Sequence, residues 1–218
     1  MNSFYKIDYV IKTIIIGNSG VGKTTILHEL SDKNIMLTSN IVSTVGVDFY
    51  NQMINFNNKN IKIQFWDTSG QEKFFGIVKS FYKNIAICYI MYDVTNRETF
   101  DNVEKWIHDY NINSTNQNVI FVLIGNKIDN IYFKCVSTKE AMEFAQKNNM
   151  IFIETSYKDK ISLENLIKKP IEKLFNLINT KIIIPNSFNG ITSNVNYDEN
   201  HNQINNQSKK DLCNCVIL

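Results

Sequence analysis

A chain of 218 residues, 44% of them apolar, has material for one buried core and a tail. A formal net charge of +2 gives no broad positive field, which excludes a general nucleic-acid binder, and the three histidines show no metal-ligand spacing. Four cysteines, two of them in the last six residues, are not a disulfide framework. Met1–Asp8 is too polar for a signal peptide and no run approaches a membrane span, so a cytosolic protein is expected unless its end is modified. Arg97 is the only arginine.

In chain order, apolar strand patterns alternate with helical ones. Strands are predicted at Tyr9–Ile16, Gly46–Asn55, Ile61–Asp67, Ala86–Val94, Asn118–Ile124 and Ile151–Glu154. Helices are predicted at Lys23–Asp32, Lys73–Tyr82, Thr99–Tyr110, Thr138–Asn148 and Leu163–Ile178. The polar turn Asn57–Asn60 joins the second and third strands as a hairpin. The runs Ala86–Met91 and Val119–Ile124 are apolar throughout, as in strands covered on both sides. The pattern implies an α/β fold: a mostly parallel six-stranded sheet, one antiparallel edge strand, helices on both faces. Pro170 is expected to kink the last helix or delay its start. Residues 1–180 form the domain, and residues 181–218 read as a flexible tail, because Asn186–Lys210 holds too few hydrophobes to offset its ordering entropy.

The turn after the first strand reads Gly17-Asn18-Ser19-Gly20-Val21-Gly22-Lys23-Thr24-Thr25. The spacing G-x-x-x-x-G-K-T between strand and helix is that of a phosphate-binding loop. Its glycines let backbone N–H groups converge on an anion, at the positive end of the helix that follows. Lys23 reaches the β- and γ-phosphates and the Thr24 hydroxyl suits Mg²⁺. Asp67, at the end of the third strand, is a second candidate toward Mg²⁺; Gly70 offers its N–H to the terminal phosphate, and Gln71 can orient a water in line with it. In Asn126-Lys127-Ile128-Asp129, the Asp129 carboxylate can accept two N–H groups from guanine, where adenine would present a lone pair. Lys127 can lie across the base and Asn126 can tie this loop to the phosphate loop. In Glu154-Thr155-Ser156-Tyr157-Lys158, backbone N–H groups suit guanine O6 and Ser156 can brace Asp129.

These four motifs in this order resemble the Ras-like small GTPases. Thr44–Phe49, Trp66–Phe74, Phe81–Asn84 and Tyr92–Asn96 are similar to patterns of the Rab branch. The resemblance implies a GTP/GDP switch acting in vesicle traffic, a GTP hydrolase with Gln71 and Lys23 in catalytic roles. Thr44 would ligate Mg²⁺ beside Thr24 and Asp67. Asn18–Thr25, Thr44, Gly70, Asn126, Lys127, Asp129 and Ser156–Lys158 would hold the nucleotide. It also implies an exchange factor, a GTPase-activating protein and effectors, the last reading Val45–Phe49, Trp66 and Phe74–Phe81. Departures carry expectations. Leu37 stands where the family usually has an aromatic on guanine, so faster nucleotide loss is expected. Ser69 replaces an alanine near the γ-phosphate, and Tyr157 an alanine at a backbone contact, where it should be tolerated. Arg97 lies just after the fourth strand, outside both Thr44–Phe49 and Trp66–Phe74, so hydrolysis should be slow without a partner's arginine, a contribution of roughly 10³–10⁵ in rate.

The chain ends Cys213-Asn214-Cys215-Val216-Ile217-Leu218. Cys215 sits in a prenylation box whose terminal Leu favours geranylgeranyl, and Cys213 could carry a second lipid. The expected partners are therefore also a prenyltransferase and the cytoplasmic face of an intracellular membrane, with a cytosolic fraction; the expected oligomeric state is a monomer. The alternative is a GTP-binding module that recruits effectors with negligible hydrolysis. An ATP-using kinase would need an acceptor site and a lid, which the sequence does not offer.

Overall fold

The first strand sets the frame for everything else. In the computed structural model, which describes residues 6–30, 47–68 and 75–196, β1 (Lys6–Ile16) runs parallel to β3 (Lys59–Thr68) on one side and to β4 (Ile87–Asp93) on the other. β5 (Ile120–Asn126) and β6 (Ile151–Thr155) extend the sheet in parallel beyond β4. β2 (Val47–Phe56) is antiparallel to β3 at the far edge, in register from Val47↔Thr68 to Phe56↔Lys59. Asn57 and Asn58 make the turn with φ of 50° and 58°, the left-handed pair that suits a two-residue hairpin.

Alternate side chains of the buried strands feed two cores, one on each face. Ile11, Ile15, Ile63, Met91 and Val122 pack under α1 (Lys23–Leu30) and α6 (Lys160–Asn179). Ile14, Ile16, Cys88, Ile90 and Leu123 pack under α2 (Phe75–Ser80), α3 (Arg97–Asp101), α4 (Val103–Asn113) and α5 (Thr138–Lys147). The expected α/β architecture is present. The single helix predicted over Thr99–Tyr110 is two, α3 and α4, meeting at Asn102. The Asn96 side chain accepts from Glu98 N and starts the first of them early.

Two expectations are corrected. Of the two outcomes expected of Pro170, a kink or a delayed start, the delay is absent: the Asp159 carboxylate caps Ile161 N and Ser162 N, and the helix runs from Lys160 through the buried proline. Proline withholds the N–H that would reach the Leu166 carbonyl, and the Tyr89 hydroxyl of β4 donates there instead, at 3.0 Å. Among the described residues the sheet also has seven strands rather than six. β7 (Ile191–Asn196) pairs antiparallel with β1, from Ile11↔Ile191 to Lys6↔Asn196. The cause lies in β1, which starts at Lys6 while β4 pairs only with Thr13–Ile16, leaving the lower edge open. At the changeover Lys12 N donates to Gly190 O at 2.8 Å, and Ala86 N donates to Lys12 O at 2.9 Å. Gly190 has φ +74, and a Cβ there would stand 2.4 Å from Asn84 O and 2.7 Å from Ala86 N. So the expected flexible tail does not begin at 181: Ile183 and Ile191 are buried, and the 3₁₀ turn Ser187–Asn189 is closed by reciprocal Asn186–Asn189 bonds. Backbone pairing on an open edge needs few hydrophobes, which is why composition misled.

Candidate nucleotide site

The site lies where the parallel strands end. β1 stops at Ile16, the loop turns, and Ile26 N donates to Gly22 O to launch α1. Gly22 has φ +101, and a Cβ on it would come within 2.4 Å of Asn126 Nδ2. That closeness is the link the sequence suggested: Asn126, at the end of β5, donates Nδ2–H to Val21 O at 2.8 Å. The buried Lys23 ammonium donates to Gly17 O and Asn18 O, each at 2.9 Å, and so lies folded along the loop. Burial strips its water and draws its pKa down to about 8, against a partial pull upward from the Asp67 charge.

Thr24 Oγ1 donates to Asp67 Oδ2 at 2.6 Å, and Asp67 is fully buried at the end of β3. A hydroxyl and a carboxylate side by side at a phosphate loop are hard oxygen donors. They fit a Mg²⁺ ion, which takes one or two carboxylates and fills much of its octahedron with phosphate and water oxygens. Among the described residues no group of three or more His, Cys, Asp or Glu gathers elsewhere to hold a metal.

Sequence reasoning missed a residue here. Trp106 of α4 donates its indole N–H to Asn18 Oδ1 at 2.9 Å, so the Asn18 side chain is turned to the protein. The only sequence signal is a tryptophan on the buried face of a helix, which reads as core.

In the base-reading loop, Lys127 adopts φ +69, with its ammonium 2.8 Å from Gly20 O and 2.7 Å from Asp93 Oδ2. Its stem therefore spans from this loop to the phosphate loop. Burial pushes the Asp93 carboxyl up, but hydrogen bonds from Lys127 and Thr95 outweigh it and hold the group below its ordinary value. Asp129 receives Ser156 Oγ at 2.9 Å on one oxygen and Lys158 Nζ at 2.8 Å on the other. The brace from Ser156 is the expected one; the ion pair with Lys158 was not foreseen, and that ammonium chiefly keeps the carboxyl below its usual range. Tyr157 is exposed and its ring lies 5.2 Å from Lys158 Nζ.

Ser19, Gly20 and Thr25 fall within the loop and the first turn of α1. Leu37, Thr44, Ser69, Gly70, Gln71, Cys213 and Cys215 lie outside the described residues. Arg97 is engaged elsewhere: Nε donates to Asp101 at 2.8 Å and Nη1 to Glu140 of α5 at 2.7 Å. The chain's sole guanidinium is thus committed to carboxylates between two helices.

A glycine-rich loop at the end of β1, joined through Asn126 and Lys127 to the loop that carries the Asp129 carboxylate, is the arrangement expected of a P-loop guanine-nucleotide-binding protein. The Ras family profile matches residues 12–176. The chain is 37% identical over 174 residues to the GTP-binding protein ypt3 of Schizosaccharomyces pombe, covering 80% of each chain. It is 34% identical over 185 residues to Ras-related protein Rab11A of Lotus japonicus, covering 85% of this chain and 80% of that one. With Ras-related protein Rab11D of Nicotiana tabacum it shares 36% over 176 residues, covering 81% and 78%. The chain belongs to the Ras family, in its Rab branch: a small GTPase that hydrolyses GTP and acts in vesicle traffic. That membership disfavours the alternative of a module with negligible hydrolysis. The family match ends at residue 176, inside α6, so β7 lies beyond it.

Proposed function

We propose that this chain is a lipid-anchored switch whose GTP state is read at two loops and whose hydrolysis depends on a partner. The observation that carries the reading is the buried Lys23 ammonium at the phosphate loop, connected through Asn126 and Lys127 to Asp129. When bound, Mg²⁺ would supply positive charge to the phosphates, held by the Thr24 and Thr44 hydroxyls with Asp67 facing it through water. Lys23 leaves its loop carbonyls for the phosphate oxygens and stabilises charge that develops there. The Gly70 N–H takes the terminal phosphate, and Gln71 holds the attacking water in line. Asp129, kept ionised and aimed by Ser156, selects the purine.

Exchange factor, GTPase-activating protein and effectors meet the chain at Val45–Phe49, Trp66 and Phe74–Phe81. An aromatic row supports this surface: Phe49 and Trp66 are 4.9 Å apart between ring centres, Trp66 and Phe81 5.0 Å. Cys215 carries a geranylgeranyl group and Cys213 a second lipid, placing a monomeric chain on the cytoplasmic face of an internal membrane. With Arg97 held by Asp101 and Glu140, the activating protein brings the arginine.

The test is the nucleotide released from purified chain, followed by single-turnover hydrolysis of wild type against Gln71→Leu. Guanine nucleotide alone and a slow hydrolysis that Gln71→Leu abolishes are expected. ATP bound as readily as GTP, or no effect of the substitution, would refute the reading.

A further inference from the structure

The end of the sheet opposite the nucleotide loops carries four apolar side chains in water. Ile112 closes α4, Ile182 and Ile184 follow α6, and Phe188 sits in the turn before β7; they are 66%, 65%, 71% and 78% exposed. These segments are fastened to one another. Asn116 Nδ2 donates to Ile85 O at 2.7 Å and to Asn189 O at 3.4 Å. The Asn186 and Asn189 amides both donate to Ile184 O, at 3.0 and 2.8 Å. Ile183 and Ile191 point inward and are buried, so the outward isoleucines and Phe188 are held out by a packed backbone. Lys83 and Lys181 are exposed beside them, one residue from Asn84 and Ile182 respectively.

β7 descends from Ile191 to Asn196 and leaves the sheet at this same end. Cys215 follows 19 residues later, so a lipid there is at most about 65 Å of extended chain from Asn196. Had the tether begun at the end of α6, that limit would be about 120 Å. A lipid at Cys215 therefore holds this end of the sheet, from which the chain departs, within about 65 Å of the bilayer.

We propose that this end of the domain is a lipid-contacting face: Ile112, Ile182, Ile184 and Phe188 enter the headgroup boundary of a bilayer while Lys83 and Lys181 meet anionic headgroups. The proposal rests on the lipidation of Cys215 for its setting in the cell, and its test is arranged to stand without it. The full chain carries Cys135→Ser and Cys213→Ser, leaving Cys215 as the reactive thiol because Cys88 is buried. With GDP bound, it is coupled through Cys215 to a maleimide phospholipid in phosphatidylcholine vesicles containing one-fifth phosphatidylserine. In that chain Phe188→Trp should add emission that shifts to the blue and loses at least half its intensity when the phosphatidylcholine is brominated. The parent with Phe188 supplies the background of Trp66 and Trp106. Emission indifferent to bromine overturns the proposal. In enzymatically geranylgeranylated chain, joint replacement of Ile112, Ile182, Ile184 and Phe188 by Ser should lower flotation with the same vesicles at least tenfold, and equal flotation overturns it too. A chain that the prenyltransferase does not modify refutes the lipidation reading alone, and the quenching result then decides the face.

Discussion

Tyr89 and Pro170 form a pair whose energetics are open to direct measurement. Proline inside α6 deprives the Leu166 carbonyl of its helical donor, and the Tyr89 hydroxyl supplies one at 3.0 Å in a buried setting. Tyr89→Phe keeps the ring and removes only that donor. Leaving a buried carbonyl short of its donor costs about 1–3 kcal/mol. For a domain of this size each kcal/mol lowers Tm by about 2–4 °C. Pro170→Ala restores the N–H, so Tyr89→Phe in that background should cost less than half as much. The assay is a double-mutant cycle by urea unfolding, at one fixed excess of GDP because bound ligand adds stability by mass action. Costs that add to within about 0.5 kcal/mol would show that the hydroxyl does not replace the missing helix bond, and would refute the reasoning.

The Lys23 ammonium, with its pKa drawn down to about 8, should lose its proton from pH 8 upward in the nucleotide-free chain. GDP affinity should therefore be level below pH 8 and fall by up to about tenfold per unit above it, and a flat profile to pH 9.5 would contradict this. The stability of the same chain should run the other way. The unfolded lysine binds its proton more tightly, so the penalty of burying the cation is full below about 8 and is relieved as pH rises toward 10.5; urea midpoints across that window check the sign. Gly190→Ala drives a Cβ into Asn84 O and Ala86 N at positive φ. Amide exchange across Lys6–Ile11 and Ile191–Asn196 should quicken at least tenfold while GDP binding is kept, and unchanged protection would show that β7 tolerates the side chain. Trp106→Phe removes one neutral hydrogen bond to Asn18, worth about 0.5–1.5 kcal/mol, so GDP should leave about 2- to 10-fold faster. An unaltered off-rate would mean the bond does not position the loop.

What was legible in the sequence was local. The loop from Gly17 to Thr24 and the run Asn126–Asp129 announce themselves because backbone geometry and side-chain chemistry are set within a few residues. The link from Asn126 to Val21 was also readable, since one motif implies the other's place at the strand ends. Partners from distant elements were not: Trp106 on Asn18, Asp93 on Lys127 and Lys158 on Asp129 each join segments whose spacing carries no signature. The delayed start weighed for Pro170 did not occur, because its replacement donor comes from another strand. β7 misled because its attachment is mostly backbone, fixed by Gly190 and two inward isoleucines amid polar residues. Asparagine adds a further disguise. Asn57, Asn58, Asn84 and Asn149 occupy left-handed positions, at φ of 50° to 58°, where glycine would have marked the turn.

With the chain anchored by the proposed lipid, load on it reaches the sheet through Asn196. The ladder from Ile11↔Ile191 to Lys6↔Asn196 lies along the strand axis. A pull in that direction stretches all its hydrogen bonds together, in shear, and the strand holds. A pull at right angles opens them singly from the Asn196 end, like a zip. The direction of drag thus decides whether the domain stays on a short leash or pays out the residues of its seventh strand.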